Sequence, residues 1–343
     1  MNKIFTIKQA SCKKVVIPEG FCPGSRFSRH LQAGFRPKAC RNDSDFEFCK
    51  IFKMYLILCC AIFISACAAT VPPPTQLPPQ RSAKIALVLG AGASKGFAHV
   101  GVIKVLENNK IPIHLIVGTS VGSFVGSLYA YGYDAFALQK IALSMEKSDV
   151  AELTIPDNGF LKGERLRDYV NSKLRNSSID KLKIPFYAVA TDIKTGESVV
   201  FNSGNAGMAV QASCSIPGVF QPARFSGGNY VDGGVVKPLA VDVAKTFGAD
   251  VVIAVDISSG IDTVVPTSTI ETIMKSIQIM YSKISQLPMN QADVLIRPNV
   301  GFVGSADFGH RNEAIIEGEK AALAAIPQIN EILAKLRQEG RLP

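Results

Sequence analysis

Ile85-Ala86-Leu87-Val88-Leu89-Gly90-Ala91-Gly92-Ala93-Ser94-Lys95-Gly96 runs five apolar residues straight into a stretch of small ones. An unbroken apolar run of that length reads as a strand buried on both faces, and the glycines after it as a tight turn. Phe97, Val100, Ile103 and Leu106 then recur at helical spacing until Asn108-Asn109, which reads as a stop. Strand, turn and helix in that order make one α/β unit.

The same alternation continues outward. A second strand is expected at 114–117, followed by a helix over 121–131 and helices near 135–147 and 164–176. Further strands are expected at 186–192, 199–201, 230–231 and 251–256, with Ser226-Gly227-Gly228-Asn229 as a hairpin turn. Past Ser258 the pattern turns mostly helical. Ser268 and Glu271 have the spacing of a capping box, and Ile270, Ile273, Ile277, Met280 and Ile284 form one apolar stripe expected to pack on the domain. No internal repeat is evident. A folded catalytic domain is therefore expected over 84–260, with a mostly helical part over 261–343 packed on it.

Everything before residue 84 has a different character. Residues 1–53 hold eleven Lys and Arg against four acids, which leaves only about +2 of the formal +9 for the rest of the chain. That is too little for a groove tracking phosphates, so no nucleic-acid partner is expected. Seven of the eight cysteines lie within the first 67 residues, and Cys214 alone follows, so the folded part cannot rest on an intramolecular disulfide. The spacings match no zinc ribbon or finger, and no metal is expected. Residues 54–66 are uncharged and apolar, preceded by Lys50 and Lys53, and too short for a bilayer span of about 20 residues. They fit a signal-peptide core. The run ends in Ile64-Ser65-Ala66-Cys67, which resembles the lipobox of bacterial lipoproteins. That resemblance implies cleavage before Cys67, lipidation of its sulfur and anchoring to a bilayer. The implied location is the cell envelope, on the outer membrane facing the periplasm if the cell is Gram-negative. Residues 67–83 then read as a Pro-rich tether. A signal sequence starts near its own start codon, so residues 1–53 are expected to be a mis-assigned or non-folding extension.

Three constellations carry chemistry. Gly118-Thr119-Ser120-Val121-Gly122 is a G-x-S-x-G between an apolar strand and a helix, the setting of a serine nucleophile on a sharp turn. Gly90, Ala91, Gly92, Ala93, Lys95 and Gly96 form a loop whose amides can converge on an anion. A dinucleotide site would want an acidic residue about 20 positions on, where Val117-Gly118 stands, and no phosphate-binding G-x-x-x-x-G-K-[ST] run is present. Neither nucleotide nor other cofactor is expected. Amides beside Ser120 serve instead as an oxyanion hole, since adjacent parallel strands bring the loop to the serine. Asp232-Gly233-Gly234 is the third constellation, with Asp232 as the candidate base. His310 alone among the four histidines follows Asp232, so a Ser120–Asp232–His310 triad stays open beside a Ser120–Asp232 dyad. The dyad is favoured, because the serine follows the second strand and the glycine loop the first.

Taken together, the glycine-rich loop with a basic residue, the G-x-S-x-G and the D-G-G resemble the patatin-like phospholipases. Thr191-Asp192 and Gln211-Ala-Ser-Cys-Ser-Ile-Pro-Gly-Val-Phe220 extend the resemblance. It implies a three-layer α/β/α fold with a mostly parallel central sheet, and a metal-independent dyad that hydrolyses acyl esters of membrane lipids. By position Ser120 is the nucleophile and Asp232 the base. Ala91, Gly92 and Ala93 form the oxyanion hole, and Lys95 stands for the family's basic residue. Gly90, Gly96, Gly118, Gly122, Gly233 and Gly234 complete the motifs. The family usually has glycine where Ala91 and Ala93 stand, so a positive φ at either would strain the alanine. A lipid-binding lipoprotein on an inactive hydrolase fold is the non-enzymatic alternative.

Overall fold

The computed structural model describes residues 81–153, 159–258 and 265–343, together with Met54. The chain divides into Met1–Thr75 and Gln76–Pro343, and the second unit is described here. The expected extension, the signal segment, Cys67 and nearly all of the tether lie outside the described residues.

The first strand, β1 (Ile85–Leu89), stands near the middle of an eight-stranded sheet. On one side it pairs in parallel with β2 (Leu115–Thr119), and on the other with β9 (Val251–Val255), which pairs with β10 (Val294–Ile296). Next to β2 comes β5 (Phe186–Asp192), which pairs antiparallel with β6 (Ser198–Phe201) and with β8 (Gly228–Asp232), and β8 pairs with β7 (Ala223–Phe225). Two further short strands, β3 (Glu152–Leu153) and β4 (Leu161–Lys162), make a separate ribbon.

Strand alternation splits the core into two layers. Ile85, Leu87 and Leu89 point to one face, where α1 (Phe97–Asn108), α2 (Val121–Tyr131), α3 (Ala135–Ser144), α5 (Glu164–Lys173), α6 (Ala206–Ser213) and α10 (Arg311–Gln338) pack. Ala86, Val88, Leu115 and Val117 point to the other face, against Val241, Val243 and Ala244 of α7 (Val241–Thr246). The three-layer α/β/α fold follows. The remaining helices are α4 (Lys147–Val150), α8 (Thr269–Ile284) and α9 (Gln286–Met289).

The C-terminal part is mostly helical and also gives the sheet one strand, β10, while α10 crosses α1 at backbone contact. A Cβ on Gly101 would fall 2.0 Å from the Ile315 carbonyl oxygen, and one on Gly318 2.0 Å from that of Ala98. The second strand begins and ends later than expected, and the third helix stops at Ser144. Only half of the capping box forms. The Ser268 hydroxyl accepts from Glu271 N–H at 3.2 Å, but the Glu271 carboxylate turns to Thr267 N–H at 2.7 Å. The predicted stripe also divides: Ile277 is buried, whereas Ile270 and Met280 are exposed. The inner face runs through Ile273, Met274, Ile277 and Tyr281, which pack against Ala91, Ile216 and Val219.

Candidate active site

The register of β5 decides what meets what. Ala188 and Val189 pair with Gly118 and Thr119 of β2, and Ala190 and Thr191 with Asp232 and Val231 of β8. All four also pair with β6. A strand has two edges, so β2 and β8 must lie end to end along the same one. The two chains arrive head-on and turn away at Ser120 and Gly233, which leaves the Ser120 hydroxyl donating to Asp232 Oδ2 at 2.5 Å.

The turn at Ser120 is strained. Its φ of 55° and ψ of −127° lie where non-glycine residues rarely sit, and a tight set of bonds holds it there. Ser120 N–H donates to the Ser213 hydroxyl at 2.9 Å, which donates onward to the Val189 carbonyl at 2.6 Å. The Ser123 hydroxyl and amide both donate to the Ser120 carbonyl. The motif glycines are there for close approach: a Cβ on Gly122 would lie 2.0 Å from the Leu89 carbonyl oxygen, and one on Gly118 2.5 Å from that of Gly122.

Asp232 is fully buried and equally fixed. Its N–H donates to the Ser215 carbonyl at 2.9 Å, and its carbonyl accepts from the Thr191 hydroxyl at 3.0 Å. Oδ1 accepts from Gly234 N–H at 2.7 Å. Burial pushes the carboxyl up to about 6, against the opposing pull of the hydrogen bonds from Ser120 and the Gly234 amide. Gly233 cannot carry a side chain, since a Cβ would sit 2.1 Å from the Val189 carbonyl oxygen.

The glycine loop lies beside the serine. A Cβ on Gly96 would strike Val121 at 2.2 Å, and Ala93 and Ser120 line the same cavity. One expected oxyanion donor is corrected: Ala91 N–H is committed to the Pro238 carbonyl at 2.8 Å, which leaves Gly92 and Ala93 as the candidate donors. Ala93 has φ 50°, so the strain foreseen for alanine exists at this position. Lys95 is buried. Burial pulls the His99 imidazole down to about 4, so it is neutral near pH 7, and its Nε2 lies 2.9 Å from the Gly90 carbonyl oxygen as a pin on the loop.

None of the other described histidines reaches the dyad. His114 Nδ1 accepts from Ile85 N–H at 3.1 Å, and exposed His310 pairs through Nδ1 with Asp307 at 2.6 Å. Both Asp232 oxygens are engaged, by Ser120 and Gly234. Among the described residues no three His, Cys, Asp or Glu side chains gather as a metal site would need.

The family's phospholipase model matches residues 87–245. Those residues belong to the patatin-like phospholipase family. The match holds the last three residues of β1, the glycine loop, Ser120 and Asp232. A lysophospholipase NTE1 of Pyricularia oryzae is 30% identical over 292 residues, covering 76% of this chain and 19% of that protein. An NTE family protein of Mycobacterium bovis is 37% identical over 181 residues, 52% of this chain and 50% of its own length. Human patatin-like phospholipase domain-containing protein 6 is 34% identical over 183 residues, 51% of this chain and 13% of its own. The chain thus spans half or less of these relatives.

Reading the sequence alone missed Ser213 and Ser215, whose hydroxyl and carbonyl respectively hold the backbone amides of Ser120 and Asp232. Their signal was the segment 211–220, noted for resemblance without a role. Tyr281, in α8, was also missed, and only its place between two apolar stripe positions could have marked it.

A cavity of about 320 Å³ opens on Ser120. Phe124, Val125 and Leu128 of α2, Leu138 and Ile141 of α3, and Ile216 give it apolar walls. Cys214 also lines it as a buried neutral thiol, its pKa raised by burial and by the Asp232 charge.

Proposed function

We propose that this protein is a serine-dependent lipid acyl hydrolase, of the phospholipase A or lysophospholipase kind, that works through a Ser120–Asp232 dyad. The observation that carries the reading is the 2.5 Å bond from a strained serine, in the wall of an apolar cavity, to a buried carboxylate. Above about pH 6 Asp232 is ionised and accepts the Ser120 proton as the oxygen attacks the ester carbonyl. The Gly92 and Ala93 amides and the N-terminus of α2 stabilise the tetrahedral oxyanion. Collapse of that intermediate breaks the ester C–O bond, and the alcohol leaves with the proton held by Asp232. Water then gives a proton to Asp232 and its hydroxyl to the acyl carbon, and as the Ser120 ester bond breaks Asp232 returns that proton to the serine oxygen, releasing a fatty acid. The apolar cavity fits the acyl chain, and burial of the carboxylate supplies the proton affinity that a histidine provides elsewhere.

Acyl release from a panel of phospholipids, lysophospholipids and monoglycerides, with wild type and Ser120→Ala side by side, tests the reading. Serine-dependent release of fatty acid is expected. Equal release by both proteins would end the assignment. Failure of a fluorophosphonate probe to label wild type would favour the inactive lipid-binding alternative. Anchoring to a bilayer of the cell envelope through lipidated Cys67 belongs to the same proposal, supported by the basic flank, apolar run and lipobox-like end at 54–67. Incorporation of labelled palmitate that is lost in Cys67→Ser tests it.

A further inference from the structure

The Tyr281 hydroxyl is a buried polar group that the mechanism above does not use. Tyr281 lies on the inner face of α8, 5% exposed; its oxygen makes no hydrogen bond of ordinary distance and angle among the described residues, and the group it faces is the Asp232 carboxylate. A buried polar group left unpaired is destabilising, and phenylalanine would fill the same space without that cost. The surroundings say where the hydroxyl points. A Cβ on Gly234 would fall 2.3 Å from Tyr281 Cζ, the carbon bearing the hydroxyl, so the tip of the ring rests on the Gly234 backbone. Gly234 is the residue whose amide grips Asp232 Oδ1 at 2.7 Å. The rest of the inner face of α8 packs on Ala91 of the glycine loop and on Ile216 and Val219 after α6, which seats the helix over the dyad.

We infer that Tyr281 is a positioning residue for Asp232: in the reacting complex its hydroxyl donates to the carboxylate beside the Gly234 amide and keeps the base aimed at Ser120. The inference rests on the dyad reading and extends it to a third side chain. Burial, reinforced by the Asp232 charge, raises the Tyr281 phenol well above its ordinary value, so at any working pH it is a donor. The other titratable group facing Asp232 is Cys214, beyond the end of α6, which burial keeps neutral. From β5 and β8 the neighbours are Ala190 and Val231, which do not titrate. A donor to the carboxylate stabilises its charged form, so removing that donor must raise the pH at which the base takes up its proton.

The test is the pH profile of kcat/KM and kcat for Tyr281→Phe against wild type on a soluble chromogenic ester, with melting curves of both. The acid limb of the Phe protein is expected to move up by roughly half a unit or more, with a larger loss of rate on the acid side than at alkaline pH. A protein carrying 3-fluorotyrosine at 281, a stronger donor of the same shape, is expected to move the limb the other way and serves if Tyr281→Phe does not fold. An acid limb that stays put in either protein, or rates reduced equally at every pH, overturns the role of Tyr281. Wild type that neither cleaves esters nor reacts with fluorophosphonate sinks the dyad reading itself. An active wild type with an unmoved limb in the variants sinks only this inference.

Discussion

Thr119 and Asp232 occupy consecutive positions along one edge of β5, opposite Val189 and Ala190. The hydroxyl of the next residue, Ser120, is thereby delivered to a carboxylate 112 positions away without any loop having to reach across. The price is a backbone bent sharply at Ser120.

That bend separates two ways of removing the nucleophile. Ser120→Gly and Ser120→Ala both lose the hydroxyl, and both should lower ester hydrolysis by on the order of 10³ or more. Glycine tolerates φ 55° and alanine does not. Ser120→Gly is expected to be more stable than Ser120→Ala by about 1–2 kcal/mol. Denaturant titration of the two proteins checks this, and equal midpoints would mean the turn carries no strain.

The Asp232 carboxyl, held near 6, ties both activity and stability to pH. Activity should fall as pH drops through about 6, when the base becomes protonated. Stability runs the opposite way. The folded state holds this proton more tightly than the unfolded chain, whose carboxyl titrates near about 3.9, so the contribution is full below about pH 4 and is lost as pH rises through about 6. Neutral Asp232→Asn is therefore expected to melt above wild type at about pH 8, by on the order of 2–3 kcal/mol at most, with the gap closing toward about pH 4. A gap that widens on acidification would contradict the raised pKa.

Ala93 and Ala91 respond in opposite directions to the same change. Ala93→Gly relieves a φ of 50° and is expected to gain up to about 1 kcal/mol, after the added freedom of the unfolded chain is counted. Ala91 has no positive φ, and Ala91→Gly should lose about 0.5–1 kcal/mol. Thermal melts of the two proteins settle the comparison. A rise in both, or in neither, would contradict the loop geometry.

His310 lies apart from Ser120 and Asp232. Its ring pairs with Asp307 on the surface, while Ser120 and Gly234 occupy Asp232. His310→Ala is expected to leave kcat/KM for ester hydrolysis and its acid limb unchanged. A collapse of activity in a folded His310→Ala protein would reinstate the three-residue mechanism.

The sequence by itself determined the strand–turn–helix units and their order, because apolar runs, helical periodicity and glycine turns are local properties. It determined β1, α2 and β5 to the residue, and it marked Ser120, Asp232 and the loop by motif. Strand β10 escaped, since three residues of edge strand carry too little periodicity to be read. The stripe on α8 was legible as amphipathic, but which residues turn inward depends on what lies beneath the helix. Only the tertiary structure decided that Ala91 spends its amide on Pro238, that Ser213 and Ser215 brace the two sides of the dyad, and that Tyr281 rests on Gly234. These contacts join residues distant in the chain, and each has at one end a backbone group that every residue possesses, so no local side-chain pattern announces them. They exist because β2 and β8 share one edge of β5, and strand pairing over such distances is a property of the assembled sheet.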